Sequence, residues 1–166
     1  LLFSKLVPTI TIMIPLYIIL DKVHLLGTYV GPILAHVSVN APFVAWLVLG
    51  FIRDIPGDLF EAGKLDGCTR MQVFWKIVFP LLSPAIGSAL LLVMQYSWNE
   101  LLFSMQYTNL HTYTLTVGVS RFVGAISVDW GQSSAAATIV MVPIIIAGFF
   151  LQKYLVSGLT AGAVKG

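Results

Sequence analysis

An all-α, polytopic transmembrane helical bundle of about four spans is the fold class this sequence predicts, and three observations predict it. The first is composition: 58% of the residues are hydrophobic, only 10% are charged, and the mean hydropathy is +0.92. Soluble domains carry about 25% charged residues. The second is the arrangement of the apolar residues in runs near the ~20 residues that a helix needs to cross a bilayer. The third is a single charged interval, residues 53–76, reading R-D-I-P-G-D-L-F-E-A-G-K-L-D-G-C-T-R-M-Q-V-F-W-K, with long apolar runs on both sides. It reads as a water-exposed loop with its own short helices, hung between two membrane helices.

The first span covers residues 6–20 and carries Pro8 and Pro15. It is short for a crossing, and is expected to extend back through Ser4 and Lys5, the lysine stem snorkelling to the interface. Asp21, Lys22 and His24 mark a polar turn. The second span covers residues 30–52, with Gly31, Pro32, Asn40 and Pro42 inside it or near its start. The third covers residues 73–102 and is interrupted by Pro80 and Pro84; its small residues Gly87, Ser88 and Ala89 permit close helix packing. Residues 104–131 are less apolar. Within them, residues 114–128 alternate polar and apolar side chains around Arg121 and fit either a strand or an amphipathic helix lying on the membrane; periodicity does not decide between the two. The last span covers residues 133–151, opens with S-S-A-A-A-T, carries Pro143, and ends at Gln152 and Lys153 before a glycine-rich tail. Prolines recur in every span. Membrane helices tolerate them where neighbours re-satisfy the freed backbone groups; alternatively, broken helices line a cavity that opens to each side in turn.

The charged loop carries its own folding signals. Pro56 suits a first helical position, and a short helix is expected from Gly57 to Leu65. Asp58 and Glu61 lie early, where they complement the helix dipole, and Glu61 and Lys64 have the spacing of a pair. Gly67 is placed for a left-handed cap. Thr69 and Gln72 then form a T-x-x-Q capping box that starts the next helix. Leu59, Phe60, Ala62 and Leu65 give the short helix its apolar surface. A plain solvated loop is the competing reading.

The segment E-A-G-K-L-D-G-C (residues 61–68), followed by F-W-K-I-V-F-P-L-L-S-P, resembles the EAA loop of ABC-transporter permease subunits. That loop has the form E-A-A-x-x-D-G-A, with a downstream I-x-x-P-L-x-x-P. The chain departs from it at Gly63 and Cys68, and a glycine in place of alanine loosens a helix by about 1 kcal/mol. W-N-E at residues 98–100 and G-L-T-A-G-A-V-K-G at residues 158–166 resemble the maltose-type, MalG-like carbohydrate permeases of the binding-protein-dependent (MetI-like) superfamily. The resemblance runs over nearly the whole chain. It implies one partial permease domain over residues 1–166, with a coupling loop at about residues 53–72, and about two further helices ahead of Leu1. It also implies a prokaryotic inner-membrane subunit that does no covalent chemistry. Its partners would be the lipid bilayer, a second permease subunit, an extracytoplasmic solute-binding protein and two cytosolic ATPase subunits. The ATPases would carry ATP and Mg, since this chain has no G-x-x-x-x-G-K-[ST] phosphate loop. The coupling residues would be Glu61, Ala62, Gly63, Asp66 and Gly67. The tail, with Gly158, Gly162, Lys165 and Gly166, would reach the ATPases, or else is a frayed terminus.

Cations favour the cytosolic side. With the coupling loop inside, Lys5, Arg53, Lys64, Arg70, Lys76, Lys153 and Lys165 are inside, and Lys22 and Arg121 are outside: seven of the nine against two. For the solute pathway, Glu100 is an ionisable group beside an apolar segment. Ser97, Asn99 and Glu100, with Trp98 or Tyr96, supply the hydrogen-bond partners and ring face that sugars need; the alternative is an aromatic and acidic edge at the external interface. Asn40 and His36 lie one helical turn apart. They serve either the pathway or, the preferred reading, bonds between helices. His24 and His111 fall in loops too far from other ligand types for a metal site. The one cysteine, Cys68, excludes an intrachain disulfide, and a net charge of +2 does not suggest nucleic-acid binding. The opening L-L-F-S-K-L-V-P lacks the charged n-region and cleavage site of a signal peptide. Two rivals stand beside the sugar permease. One is an ABC permease for an amino acid, peptide or phosphorylated polyol. The other is an intramembrane enzyme, disfavoured because His36 is the sole histidine in a span and no G-x-S-x-G occurs.

Overall fold

A computed structural model describes residues 7–122 and 129–163; beyond Phe150 only the backbone course of the last helix is used. Every regular element among the described residues is helical: α1 (Thr9–Lys22), α2 (Val30–Asp54), α3 (Gly57–Leu65), α4 (Arg70–Val73), a π-helical turn (Phe74–Val78), α5 (Phe79–Leu81), α6 (Ser83–Asn99), α7 (Leu102–Tyr107), α8 (Leu115–Ser120) and α9 (Trp130–Ala163). Two of them, α2 and the Trp130–Phe150 part of α9, are long and apolar enough to cross a bilayer; the run Arg70–Leu81 plus Ser83–Asn99, bent by 63°, has that length and composition only when its two halves are taken together. The described part of the first predicted span, α1, has 14 residues, or about 21 Å of rise, and does not cross by itself. The expected extension through Ser4 and Lys5 lies outside the described residues, as do Lys165, Gly166 and residues 123–128.

The helices alternate in direction. Helix α2 descends to the charged loop, α6 returns, and α9 descends again, packing on α6 along much of its length. Small residues let α6 come close to its neighbours: Ala85, Gly87, Ser88 and Ala89 are all buried, and so are Gly31 and Ala35 of α2. At the far end from the loop, one core gathers Leu20, Ala35, Phe103 and Tyr107. Tyr107 stacks on Phe103 at 5.5 Å and donates its hydroxyl to the Met13 carbonyl at 2.6 Å, which fastens α7 to α1. The second core lies beside the loop and gathers Val73, Val78 and Leu82 with Phe51, Phe60 and Ile77.

Prolines break only one of these helices. Pro15, Pro42 and Pro143 sit inside helices that run on through them. Pro80 and Pro84 instead flank a 63° bend at Leu82, and the π turn ends immediately before them. A proline removes a backbone donor and crowds the carbonyl four residues earlier, so the ladder re-forms with a wider turn on one side and a bend on the other.

The third span is shorter than predicted. Helix α6 stops at Asn99, and Leu102 belongs to α7, because the Glu100 side chain caps a new helix at that point. Residues 115–120 are helical, which settles that part of the strand-or-helix alternative.

Candidate functional site: the charged loop and the cleft at the far end

Local sequence builds the charged loop much as its signals require. Helix α3 runs Gly57–Leu65, with Pro56 as its cap residue and not its first helical residue. Its end is a Schellman motif: the Cys68 N–H reaches the Gly63 carbonyl at 3.0 Å, the Gly67 N–H reaches the Lys64 carbonyl at 3.0 Å, and Gly67 takes φ +75°. The capping box follows, with Gln72 N–H to Thr69 Oγ1 at 3.4 Å and Thr69 N–H to Gln72 Oε1 at 2.8 Å. Two adjacent motifs thus fold the chain into a tight helix–turn–helix. The pair expected between Glu61 and Lys64 does not form among the described residues. Both loop side chains point into solvent, where such a pair is worth only a few tenths of a kcal/mol.

The short helix has two faces. Phe60 and Gly63 turn inward, and Phe60 joins the core of Val73, Val78 and Leu82. A methyl group on Gly63 would stand 3.0 Å from both Val73 Cγ2 and Ile77 Cδ1. The missing side chain therefore sets how closely α3 lies on the π turn. Sequence reasoning counted Gly63 only as a weak helix former; its packing partners are not written in local spacing. The outward face carries Asp58, Leu59, Glu61, Ala62, Leu65 and Asp66, and Leu65 is 88% exposed. Of the four apolar residues expected to give the helix its apolar surface, Phe60 packs inward and Leu59, Ala62 and Leu65 face outward. Cys68 is partly buried behind the turn.

The pathway candidates separate into three environments. Glu100 is 8% exposed, and its carboxylate accepts from Phe103 N–H at 2.8 Å, Ser104 N–H at 3.2 Å and Ser104 Oγ at 3.3 Å. His36 Nε2 lies 3.3 Å from the same carboxylate, joining α2 to the α6–α7 corner. Asn40, also buried, donates to the His36 carbonyl at 2.9 Å. His36 thus makes the bond between helices expected of it, and Glu100, its partner 64 residues away, carried no sequence signal of that contact. A capping position three residues ahead of Phe103 was the one local hint. Ser97 and Trp98 open on a cleft of about 830 Å³, walled also by Tyr29, Tyr113, Thr114 and Val140. Trp98 donates its indole N–H to the Val140 carbonyl of α9 at 3.2 Å. Asn99 faces elsewhere, donating to the Gln95 carbonyl at 2.8 Å and lining a smaller hollow beside Tyr96.

The loops fix which residues share an end. Gly27 bonds the loop after α7 through Tyr107, Asn109 and Thr112, and Tyr29 donates to the His111 carbonyl. Lys22, His24, His111 and Arg121 therefore lie at the end opposite Arg53, Lys64, Arg70 and Lys76. Among the described residues no group of His, Cys, Asp or Glu is arranged to hold a metal. Gly158 and Gly162 lie on the helical backbone of α9.

The sequence matches, over residues 1–161, the family described as the binding-protein-dependent transport system inner membrane component. Curated relatives agree along nearly the whole chain. A probable ABC transporter permease, y4oR of Sinorhizobium fredii, is 37% identical across 99% of this chain. The trehalose/maltose transport system permease MalG of Thermococcus litoralis is 35% identical across 96%, and the melibiose/raffinose/stachyose import permease MelC of Bacillus subtilis 33% across 96%. The chain spans 58% to 59% of the length of these relatives. With its helical spans and a helix–turn–helix loop between two of them, the chain belongs to the family of binding-protein-dependent transport system inner membrane components, and is a membrane protein.

Proposed function

We propose that this chain is a permease subunit of an ATP-driven importer for a carbohydrate, lining half of the pathway and taking its stroke from a cytosolic ATPase through α3. The observation that carries this is the division of α3: Phe60 and Gly63 are locked against the broken span, while Leu65 stands 88% exposed beside Glu61, Ala62 and Asp66. An apolar side chain held out in water on a short, well-capped helix suits a knob that enters a protein cleft. A push on α3 passes through Gly63, Val73 and Ile77 into the segment next to the 63° bend. Bent spans of this kind suit a pathway that opens to each side in turn.

The substrate class rests on the relatives, whose names specify trehalose/maltose and melibiose/raffinose/stachyose. Support within the chain comes from the outer cleft, where the rings of Tyr29, Trp98 and Tyr113 stand near the hydroxyls of Ser97, Thr112 and Thr114. The partners in this reading are a second permease subunit, two ATPases that hold ATP and Mg, and an extracytoplasmic solute-binding protein. In this reading the coupling loop is cytosolic, in keeping with the cations gathered at its end, and the tail that holds Gly158, Gly162, Lys165 and Gly166 is a contact for the ATPases.

The test is a cross-link. With Cys68→Ser and Leu65→Cys, single cysteines on the ATPase cleft should capture the permease with a yield that changes on adding ATP. A Leu65→Cys thiol modified only by reagents confined to the external face would overturn the assignment. In the same assembly, Leu65→Asp should weaken ATPase association by about tenfold. Uptake of a labelled oligosaccharide into proteoliposomes checks the substrate class; uptake of an amino acid or peptide in its place would remove the carbohydrate part alone.

A further inference from the structure

We infer that the segment from α4 through α5, residues 70–81, lies in the membrane–water interface on the coupling-loop side, as an anchor for an anionic phospholipid surface. Length gives the first argument. At 1.5 Å per residue, α4 through α6 measures about 44 Å along its path, whereas the hydrocarbon core is about 30 Å thick. Helix α6 alone, with 17 residues, supplies about 26 Å of that. The remaining ~18 Å is bent away from it by 63°. When α6 crosses near the bilayer normal, the bent half runs obliquely to flat, which is the attitude of an interfacial helix.

Its side chains fit that position. The inner face, Val73, Ile77 and Val78, packs on the loop-side core. The outer face carries Met71, Trp75 and Phe79 at four-residue spacing, 65%, 56% and 43% exposed. Trp75 packs on Phe79 with ring centroids 5.0 Å apart and on Phe74 at 5.1 Å, so the exposed surface is one aromatic ridge. Aromatic rings, tryptophan above all, gather at the headgroup level of membranes. Arg70 and Lys76 flank the ridge, both exposed, and no acidic residue occurs between Arg70 and Asn99. Two cations beside an aromatic ridge draw that face toward anionic headgroups, even with Asp58 and Glu61 exposed on the neighbouring α3 and Asp66 at its end. Such a segment would hold the foot of the lever at a fixed depth, so that a push on α3 turns the bend at Leu82 and does not sink the loop into the bilayer. The inference needs α6 to cross the membrane and is independent of the transported solute.

The experiment places nitroxides on Met71→Cys and Leu81→Cys, separately, in a Cys68→Ser chain within the assembled transporter. The other subunits are free of cysteine. The assembly sits in nanodiscs of phosphatidylcholine with and without phosphatidylglycerol. Relaxation by oxygen and by a water-soluble nickel chelate reads the depth of each label. The expected result puts position 71 at the headgroup–acyl boundary and position 81 deeper, both shifting inward when phosphatidylglycerol is present. Arg70→Gln with Lys76→Gln should abolish that shift. A label at position 71 as open to nickel as a control at Asp58→Cys would overturn the proposal. So would a label shielded from both relaxers, because the ridge would then be covered by protein, the second permease subunit foremost. Depths identical with and without phosphatidylglycerol would overturn the anionic recognition.

Discussion

His36 Nε2 and Glu100 Oε2 meet at 3.3 Å across the gap between α2 and the corner where α6 ends, although 64 residues separate them. The same carboxylate holds the first free N–H groups of α7. One side chain thus caps a helix, turns the chain and ties it to a neighbouring span. Glu100→Ala should cost about 2–4 kcal/mol, since two buried N–H groups lose their acceptor. Glu100→Gln keeps one acceptor oxygen and should cost about half as much, and His36→Ala less again. Denaturant unfolding in mixed micelles measures all three. A Glu100→Ala protein of unchanged stability that no longer transports would assign the residue to the pathway instead.

What was legible in the sequence follows the range of the forces involved. The Schellman turn at Gly67 and the capping box of Thr69 and Gln72 involve residues within a few positions of one another, so their pattern is written locally. The long apolar runs of α2 and α9 are legible for the same reason. The bend at Leu82 was hinted at by Pro80 and Pro84, but Pro42 and Pro143 gave the same hint and their helices run on. Proline states that a donor is missing; whether the helix breaks depends on what packs around it. Glu100 and Trp98 stood out as residue types, yet their partners, His36 and Val140, come from distant elements and no spacing announces them.

Gly63 is predicted to tolerate alanine and nothing larger. Alanine gains about 1 kcal/mol in helix propensity, which offsets the shift required of Val73 Cγ2 and Ile77 Cδ1, each 3.0 Å from the new methyl group. Gly63→Ala should therefore leave transport-coupled ATP hydrolysis near its starting level. Gly63→Leu overpacks the contact at about 1–3 kcal/mol and pries α3 from the π turn. It should uncouple ATP hydrolysis from transport while the ATPase remains bound, as measured by comparing both rates in proteoliposomes.

Among the described residues, two helix ends that use a left-handed residue make an opposed pair. Helix α3 ends with Gly67 at φ +75°, whereas α1 ends with His24 at φ 55° in the same arrangement, Leu25 N–H reaching the Leu20 carbonyl at 2.9 Å. A side chain in that region costs about 1–2 kcal/mol relative to glycine. Gly67→Ala should lower stability by about 1 kcal/mol. His24→Gly should raise it by about 0.5 kcal/mol, the relief of strain exceeding the added freedom of the unfolded chain. Opposite shifts in the unfolding midpoint are the expected reading.

Trp98 has one polar group to offer, and α9 already takes it. The indole N–H is a donor only, and it reaches the Val140 carbonyl at 3.2 Å, one turn ahead of Pro143. If the cleft takes the proposed sugar, what remains for it is the flat of the ring. The two uses are separable by substitution. Trp98→Phe keeps a ring face and removes the donor, so it should cost about 1 kcal/mol of stability and loosen α6 from α9. The apparent KM for the sugar should stay within about threefold, a difference worth under 1 kcal/mol. Trp98→Leu removes the face as well and should raise KM further at a similar loss of stability. Equal KM values for the two variants would leave Trp98 as a clasp between helices with no part in holding the solute.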